Sequence, residues 1–119
     1  MFAEAQLSFV QLSCLYMSAK AKLHPISRDD VRLGYMMQCP GCKGHHAIYT
    51  EQPNSQKAKW EFNGNLESPS FTPSVLATWH EGEEHVKHVC HFYVTDDKII
   101  FQPDCTHELK GQTVDLPEW

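Results

Sequence analysis

Two cysteines separated by two residues are the strongest chemical signal in this sequence. In Cys39-Pro40-Gly41-Cys42 the spacing lets both thiolates converge on one metal ion. The glycine supplies turn freedom that a side chain would restrict. A redox-active pair of the thioredoxin type has the same spacing, but it opens a helix, and Lys43-Gly44-His45-His46 does not look like a helix start. The motif therefore favours a zinc knuckle.

One such pair needs two more ligands, and two later segments offer them. Cys90 and His91 are adjacent, and Cys105 and His107 are two positions apart. Neighbours on a strand point to opposite faces, so only one of Cys90 and His91 is expected on the face of the knuckle. The preferred set is Cys39, Cys42, Cys90 and His107, with His91, Cys105 and His46 as substitutes. The sequence thus predicts a Zn²⁺ site drawn from Cys39, Cys42, Cys90, His91 and His107, without deciding which four bind.

An acid/base pair is conceivable beside this ion. Asp104 precedes His107 by three positions, and His91 is next to an expected ligand. A catalytic zinc keeps an open position for water, and such groups would serve it. No complete H-E-x-x-H or deaminase-type motif is present, which favours a closed, structural site. Polar residues that could line a pocket from turns are Asn63, Asn65, Ser70 and Ser74.

The segments around these residues are predicted to be short strands. Alternating and β-branched residues indicate strands, and the clearest pattern is a hairpin whose two strands flank Thr95-Asp96-Asp97. The stretch from Trp79 to His88 is charged and predicts an exposed loop, and His24 before Pro25 also indicates a loop. One helical turn is expected at Thr106–Lys110. The predicted strands are 31–38, 47–50, 59–62, 74–79, 89–94 and 98–101, followed by an extended tail at 113–119 that docks on the sheet.

The expected fold is therefore mainly β, a small antiparallel sheet or sandwich with a zinc knuckle. Residues 1–16 are predicted to be an optional N-terminal extension with a possible short helix, and residues 17–119 a single zinc-binding β domain. Cys14 in the extension is expected to be inert.

Composition and charge narrow the function classes. The 119 residues include 10 basic and 15 acidic ones, a formal charge of −5, so a strong direct grip on nucleic acid is not expected. Residues 17–43 are net basic and residues 81–119 net acidic, which leaves a protein or nucleoprotein partner possible. No apolar run is long enough to span a membrane, so no membrane partner is expected. Five cysteines, an odd number, without a secretory signal indicate a reducing cytoplasm.

Several blocks of sequence follow one another in a familiar order. They are Cys39–Cys42, Trp60–Asn65, Ser70–Ser74, Cys90-His91, Asp104–His107 and Gly111–Trp119. Over residues 31–119 the chain resembles a family of small uncharacterised phage and prophage proteins, some labelled "ammonia monooxygenase". That label is incompatible with a chain that has no membrane-spanning segment. The resemblance implies a phage context without a mechanism, and because relatives can carry serine at position 105, it argues against Cys105 as a ligand.

Two functions follow from these observations. The favoured one is a small zinc-binding phage or prophage accessory protein that binds a host or phage macromolecule, with zinc mainly structural. The alternative is a zinc-dependent hydrolase with an open metal site near His91, Asp104 and His107. A nucleic-acid-binding knuckle with a small basic and aromatic surface is a third possibility, and it would use Lys43, Lys57, Lys59 and Trp60. The sequence does not name a substrate, a partner or an oligomeric state.

Overall fold

A computed structural model describes residues 20–119. Within that range the chain contains no helix and forms two antiparallel sheets, which confirms the mainly β prediction. The predicted extension at 1–16, its short helix and Cys14 lie outside the described residues. The strands are β1 (His24–Arg28), β2 (Val31–Cys39), β3 (Gly44–Tyr49), β4 (Glu61–Phe62), β5 (Phe71–Glu81), β6 (Val86–Thr95), β7 (Lys98–Phe101) and β8 (Thr113–Asp115).

The two sheets have simple strand orders. The first is β1-β2-β3 and the second is β4-β5-β6-β7-β8, so every strand pairs with its neighbour in the sequence within its sheet. The cysteine pair lies in the turn between β2 and β3, where Lys43 N–H donates to the Cys39 carbonyl at 2.9 Å. Strand, knuckle and returning strand therefore follow one another as the sequence predicts, and the stretch after Cys42 is a strand instead of a helix.

Turn chemistry explains the two hairpins of the second sheet. Between β6 and β7, Asp96 and Asp97 both have positive φ, as a two-residue hairpin turn requires. Between β5 and β6, the prediction of a loop over Trp79–His88 is wrong, because both strands continue and only residues 82–85 turn. The ring of Trp79 stacks on that of His88 across the strands at 5.4 Å, and this cross-strand pair extends the hairpin.

Smaller elements also differ from expectation. His24 lies in β1 and not in a loop, and its Nε2 is 2.8 Å from the carbonyl oxygen of Trp119. Thr106–Lys110 forms turns instead of a helical turn. The tail docks as predicted, with β8 paired to β7 and Leu116 buried.

One hydrophobic core joins the two sheets. Met37 and Ile48 contribute from the first sheet, and Phe92, Ile99 and Phe101 contribute from the second. Cys39 and Cys90 belong to the same buried cluster, so the end of β2 and the middle of β6 meet in the core. No helix in the described part of the chain has the length and apolar character needed to cross a bilayer.

Candidate active site and metal cluster

The alternation of β6 separates two sets of functional side chains. Cys90 and Phe92 are fully buried and point into the core. His91 lies between them and is only partly buried, so its ring stands on the outer face of the second sheet. The expectation that Cys90 and His91 point to opposite faces is confirmed. One strand therefore places a thiol toward the first sheet and an imidazole toward the outside.

On that outer face three side chains form a continuous hydrogen-bonded row. His91 Nε2 is 3.1 Å from Ser74 Oγ. His91 Nδ1 is 3.1 Å from both carboxylate oxygens of Asp104. With Nδ1 donating to the carboxylate, Nε2 is left to accept the proton of the Ser74 hydroxyl. Serine, histidine and aspartate thus stand in the order and orientation of a hydrolase triad.

The local backbone explains how Ser74 reaches the histidine. Phe71 pairs with Val94, and Val75 pairs with Phe92. Between these two pairs the chain advances four residues along β5 but only two along β6, so β5 is bulged here, and Ser74 lies in the bulge. The Ser74 carbonyl accepts a hydrogen bond from Trp60 Nε1 at 3.1 Å. The bulge and this bond hold the serine where β5 passes the ring of His91.

Asp104 is positioned by the residue that follows it. The His91 N–H donates to Cys105 Sγ at 3.2 Å, and the Cys105 thiol donates to the His91 carbonyl at 3.2 Å. Cys105 is buried, and the same carbonyl also accepts the Gln102 N–H at 2.9 Å. The segment carrying Asp104 is therefore bonded to the main chain of His91, and Cys105 is occupied by this contact.

Exposure distinguishes this triad from a deeply buried one. The side chain of His91 is 26% exposed and that of Asp104 is 58% exposed. A more exposed carboxylate is better solvated and orients the imidazole less strongly than a buried one. Solvent therefore weakens the hold of Asp104 on the His91 ring.

Behind β6, on the core side, four metal-binding side chains meet. The donor atoms of Cys39, Cys42, His46 and Cys90 all lie within 4.8 Å of one another. Cys39 Sγ is 3.7 Å from Cys90 Sγ, and Cys42 Sγ is 3.2 Å from His46 Nε2. In a tetrahedral zinc site, Zn–S bonds of about 2.3 Å and Zn–N bonds of about 2.0 Å place two sulfurs about 3.8 Å apart and sulfur and nitrogen about 3.5 Å apart. The donor set and its spacing therefore fit a four-coordinate cation.

His107 lies beside this cluster in a different role. Its Nδ1 accepts the Leu109 N–H at 3.2 Å, and its Nε2 is 3.5 Å from Cys90 Sγ. Burial lowers the pKa of His107, so the ring is neutral, and an accepting Nδ1 leaves the proton on Nε2. That N–H points at the Cys90 sulfur. A β-carbon on Gly41 would overlap the His107 ring, so glycine in the knuckle is what allows this approach.

The cysteines and the histidine of the cluster shift one another's pKa values. Hydrogen bonds with Cys39 and Cys90 hold the pKa of the Cys42 thiol far below its usual range, and hydrogen bonds with Cys39 and Cys42 raise that of Cys90. Burial pulls the pKa of His46 down, but hydrogen bonds to Cys39 and Cys42 outweigh it and raise the pKa to about 9. A divalent cation that binds such a group displaces the protons, and it then provides the positive charge beside the thiolate in place of the imidazolium.

A cavity of about 510 Å³ borders the cluster. It is lined by Gly41, Cys42 and His107 from this region and by Trp79 and His88 from the extended hairpin. Cys42 is correspondingly the least buried of the three clustered cysteines. The cluster can therefore be reached from solvent on this side, away from the outer face that carries Ser74.

Comparison with known proteins bears on the triad. The model of the family described as "Bacterial ubiquitination-like system serine protease (BubE)" matches residues 14–102, well over half of the chain. The chain belongs to the BubE family. Ser74 and His91 lie inside the matched range, and Asp104 lies two positions beyond it. A search of curated proteins and a search of solved structures each returned no match.

The BubE match favours a protease-like family over the accessory binding role that the sequence favours, and it carries no information on a phage origin. Of the expected metal residues, Cys39, Cys42 and Cys90 come together. A second group of donors within 4.8 Å of one another in residues 20–119 consists of Cys90, Cys105 and His107, and His91 belongs to neither group. His107 Nε2 is 3.5 Å from Cys90 Sγ.

The sequence pairs His91 with Asp104 but places both beside a metal, and it indicates Ser74 as a polar residue that could line a pocket, not as a nucleophile. No spacing motif marks the triad, since Ser74 and His91 are 17 positions apart, His91 and Asp104 are 13 apart, and no G-x-S-x-G elbow surrounds the serine. The other polar turn residues act structurally: Asn63 Oδ1 accepts the Asn65 N–H, and Ser70 Oγ accepts the Asp96 N–H.

Proposed function

We propose that this protein is a serine protease in which Ser74 is the nucleophile, His91 the general base and Asp104 the orienting acid. The observation that carries the proposal is the unbroken row from Ser74 Oγ through the His91 ring to the Asp104 carboxylate, with each contact at 3.1 Å. Membership of a family described as a serine protease of a bacterial ubiquitination-like system supports the same reaction class. In that setting the substrate is a polypeptide.

The geometry supports a two-stage acyl transfer. Ser74 Oγ attacks the carbonyl carbon of the scissile peptide bond while its proton passes to His91 Nε2. The imidazolium, stabilised by Asp104 at Nδ1, gives that proton to the leaving amine as the C–N bond breaks. Water then attacks the acyl-serine ester and loses its proton to His91, which releases the carboxylic acid and restores the Ser74 hydroxyl.

Covalent labelling tests this assignment. An alkyl fluorophosphonate phosphonylates a serine only when a neighbouring base activates it. We expect one adduct on the intact protein, located at Ser74 by peptide mass mapping, and none on Ser74→Ala. Ser70→Ala is the matched control, since Ser70 lies on the same stretch of chain and its hydroxyl is used by the turn at Asp96. An adduct that persists in Ser74→Ala would reject the triad.

We further propose that the metal of the cluster is Zn²⁺ and that Cys39, Cys42, His46 and Cys90 bind it. Three thiolates and one imidazole make a closed site of the structural class. This assignment replaces His107 of the preferred set by His46, because His107 Nδ1 accepts a main-chain bond and its Nε2 proton faces Cys90 Sγ. His107 then acts as a donor to a ligand. His91 is assigned to the triad instead of the metal.

Metal analysis of two histidine variants separates these assignments. His46→Ala removes a ligand, so zinc bound per chain should fall strongly, whereas His107→Ala should retain zinc with weakened affinity. Equal zinc loss in both variants would favour a site that uses both imidazoles. The alternative of a zinc-dependent hydrolase predicts that fluorophosphonate does not label the zinc-loaded protein, which distinguishes it from the triad.

The remaining expectations from the sequence stay predictions. A protein partner of the acidic C-terminal half fits a polypeptide substrate, and a cytoplasmic location fits the four described cysteines, none of which forms a disulfide. Both are open to direct measurement by affinity capture and by cell fractionation.

A further inference from the structure

A groove runs between the two sheets immediately beyond the proposed nucleophile. Its volume is about 300 Å³, and it is lined by residues 45–47 of β3, residues 75–78 of β5, the ring of Trp60 and the polar side chains of Asn54 and Gln56. In the described part of the chain β4 pairs only with Thr72 and Phe71, so the rest of this side of β5 has no strand beside it. The outer side of β3 is likewise a sheet edge. Two free edges therefore face one groove.

The direction of the main-chain groups on β5 follows from the pairing of β6. The His91 carbonyl accepts the Gln102 N–H and the His91 N–H donates to Cys105, so the main chain of His91 faces β7. Because directions alternate along a strand, the main-chain groups of Cys90 and Phe92 face β5.

Cys90 and Phe92 are paired with Ala77 and Val75. The N–H and C=O groups of Leu76 and Thr78, which alternate with these, must then point away from β6 and into the groove. The Ser74 carbonyl has the same direction, since it accepts the bond from Trp60 on that side. Within residues 20–119 the N–H and C=O of Leu76 thus have no hydrogen-bond partner, and they lie two residues from the nucleophile.

We propose that this groove binds the substrate as an added β-strand, paired with the main chain of Leu76 and Thr78, so that its scissile bond reaches Ser74. The inference rests on the proposed serine protease function and names the form of its substrate. An unpaired strand edge is a template for an extended peptide, and pairing there gives affinity without dependence on side-chain identity.

The lining also indicates the chemistry of the segment that fits. Ala47 and Ala77 leave room beside the two edges, and Asn54, Gln56 and Thr78 present uncharged polar groups. His45 and His46 also line the groove, and none of the lining residues is acidic. A lysine or arginine of the substrate would therefore be desolvated there without an anionic partner. The fitting substrate is an extended segment with small side chains and no basic residue, such as a run of glycine, alanine or serine.

Peptidyl diphenyl phosphonates provide a test on the unaltered protein. The probes are acetyl-Ala-Ala-Ala phosphonate and analogues that carry a single N-methyl group on each amide in turn. The measurement is the second-order rate constant of adduct formation at Ser74. An alkyl fluorophosphonate is the control reagent, because its reaction depends on the triad but not on binding in the groove. We expect N-methylation to slow labelling about tenfold at alternate amides, which donate to the edge, and to leave the rate unchanged at the amides between them.

A protein variant provides a second test. Leu76→Pro deletes the groove-facing N–H nearest to Ser74, and we expect it to slow the peptidyl probe. His80→Pro is the matched control, because His80 has the same orientation on β5 but lies beyond the residues that line the groove. A probe with a lysine next to the phosphonate should react more slowly than the alanine probe.

The outcomes separate the two proposals. If the alkyl reagent labels Ser74 but the N-methyl series shows no alternation, strand addition is wrong and the triad stands. If the alkyl reagent does not label Ser74 at all, the serine protease function itself is wrong. Because the N-methyl series uses unaltered protein, a folding defect in Leu76→Pro cannot decide the result.

Discussion

Replacing Cys105 by alanine tests how the triad acid is held against the triad base. The Cys105 sulfur accepts the His91 N–H and donates to the His91 carbonyl, both at 3.2 Å, and the side chain is 4% exposed. Alanine removes both bonds. The carbonyl keeps its bond from the Gln102 N–H, whereas the N–H is left without its sulfur acceptor.

The expected loss of stability comes mainly from the His91 N–H, because the His91 carbonyl keeps a second hydrogen bond. A polar group left unsatisfied away from water costs about 1–3 kcal/mol, and sulfur is a weak acceptor, so we expect the free energy of unfolding to fall by about 1–2 kcal/mol. If the two bonds of Cys105 stabilise the position of Asp104 at His91 by the same free energy, their loss should lower the rate of fluorophosphonate labelling about 5- to 30-fold. Both quantities can be measured on one preparation, by urea unfolding and by labelling kinetics.

Cys105→Ser is the matched control. A hydroxyl donates and accepts as a thiol does, so serine should retain both bonds and most of the labelling rate. A serine variant as slow as the alanine variant would refute the hydrogen-bonding argument and leave only loss of packing. An alanine variant that labels at the wild-type rate would show that Cys105 does not position the triad.

Three further predictions concern the triad, the knuckle and the core. Asp104→Asn should slow labelling by about 10²–10³, less than the roughly 10⁴ of a buried triad aspartate, because the carboxylate is 58% exposed; a loss of the full 10⁴ would contradict that account. Gly41→Ala should displace His107 and weaken zinc binding about 10- to 100-fold in a chelator competition, and unchanged affinity would show that the contact with Cys90 is dispensable. Phe92→Ala should lower the free energy of unfolding by about 3–5 kcal/mol in denaturant titration, while Tyr93→Ala on the exposed face of the same strand should change it far less.

Local chemistry made several features predictable. The hairpin at Thr95–Lys98 follows from two aspartates between alternating apolar strands, since such residues tolerate positive φ. The knuckle after β2 follows from the cysteine spacing and its glycine. By contrast, the length of the β5–β6 hairpin was not predictable, because its charged and histidine-rich end resembles a loop. In the structure the strands stay paired as far as Glu81 and Val86, and Trp79 stacks on His88 across them.

For the candidate site as well, local geometry was predictable from the sequence and long-range contacts were not. The sequence by itself determined that Cys39 and Cys42 can share one ion and that Cys90 and His91 must face opposite ways, because both statements depend on geometry within a few residues. Only the tertiary structure determined which side chains Cys90 and His91 contact on the two faces of β6. The bulge in β5 brings Ser74 to His91, and Cys105 bonds the segment of Asp104 to the same histidine. Those contacts join residues 13 to 17 positions apart through strand pairing, and a register shift of one residue would turn every one of these side chains to the other face.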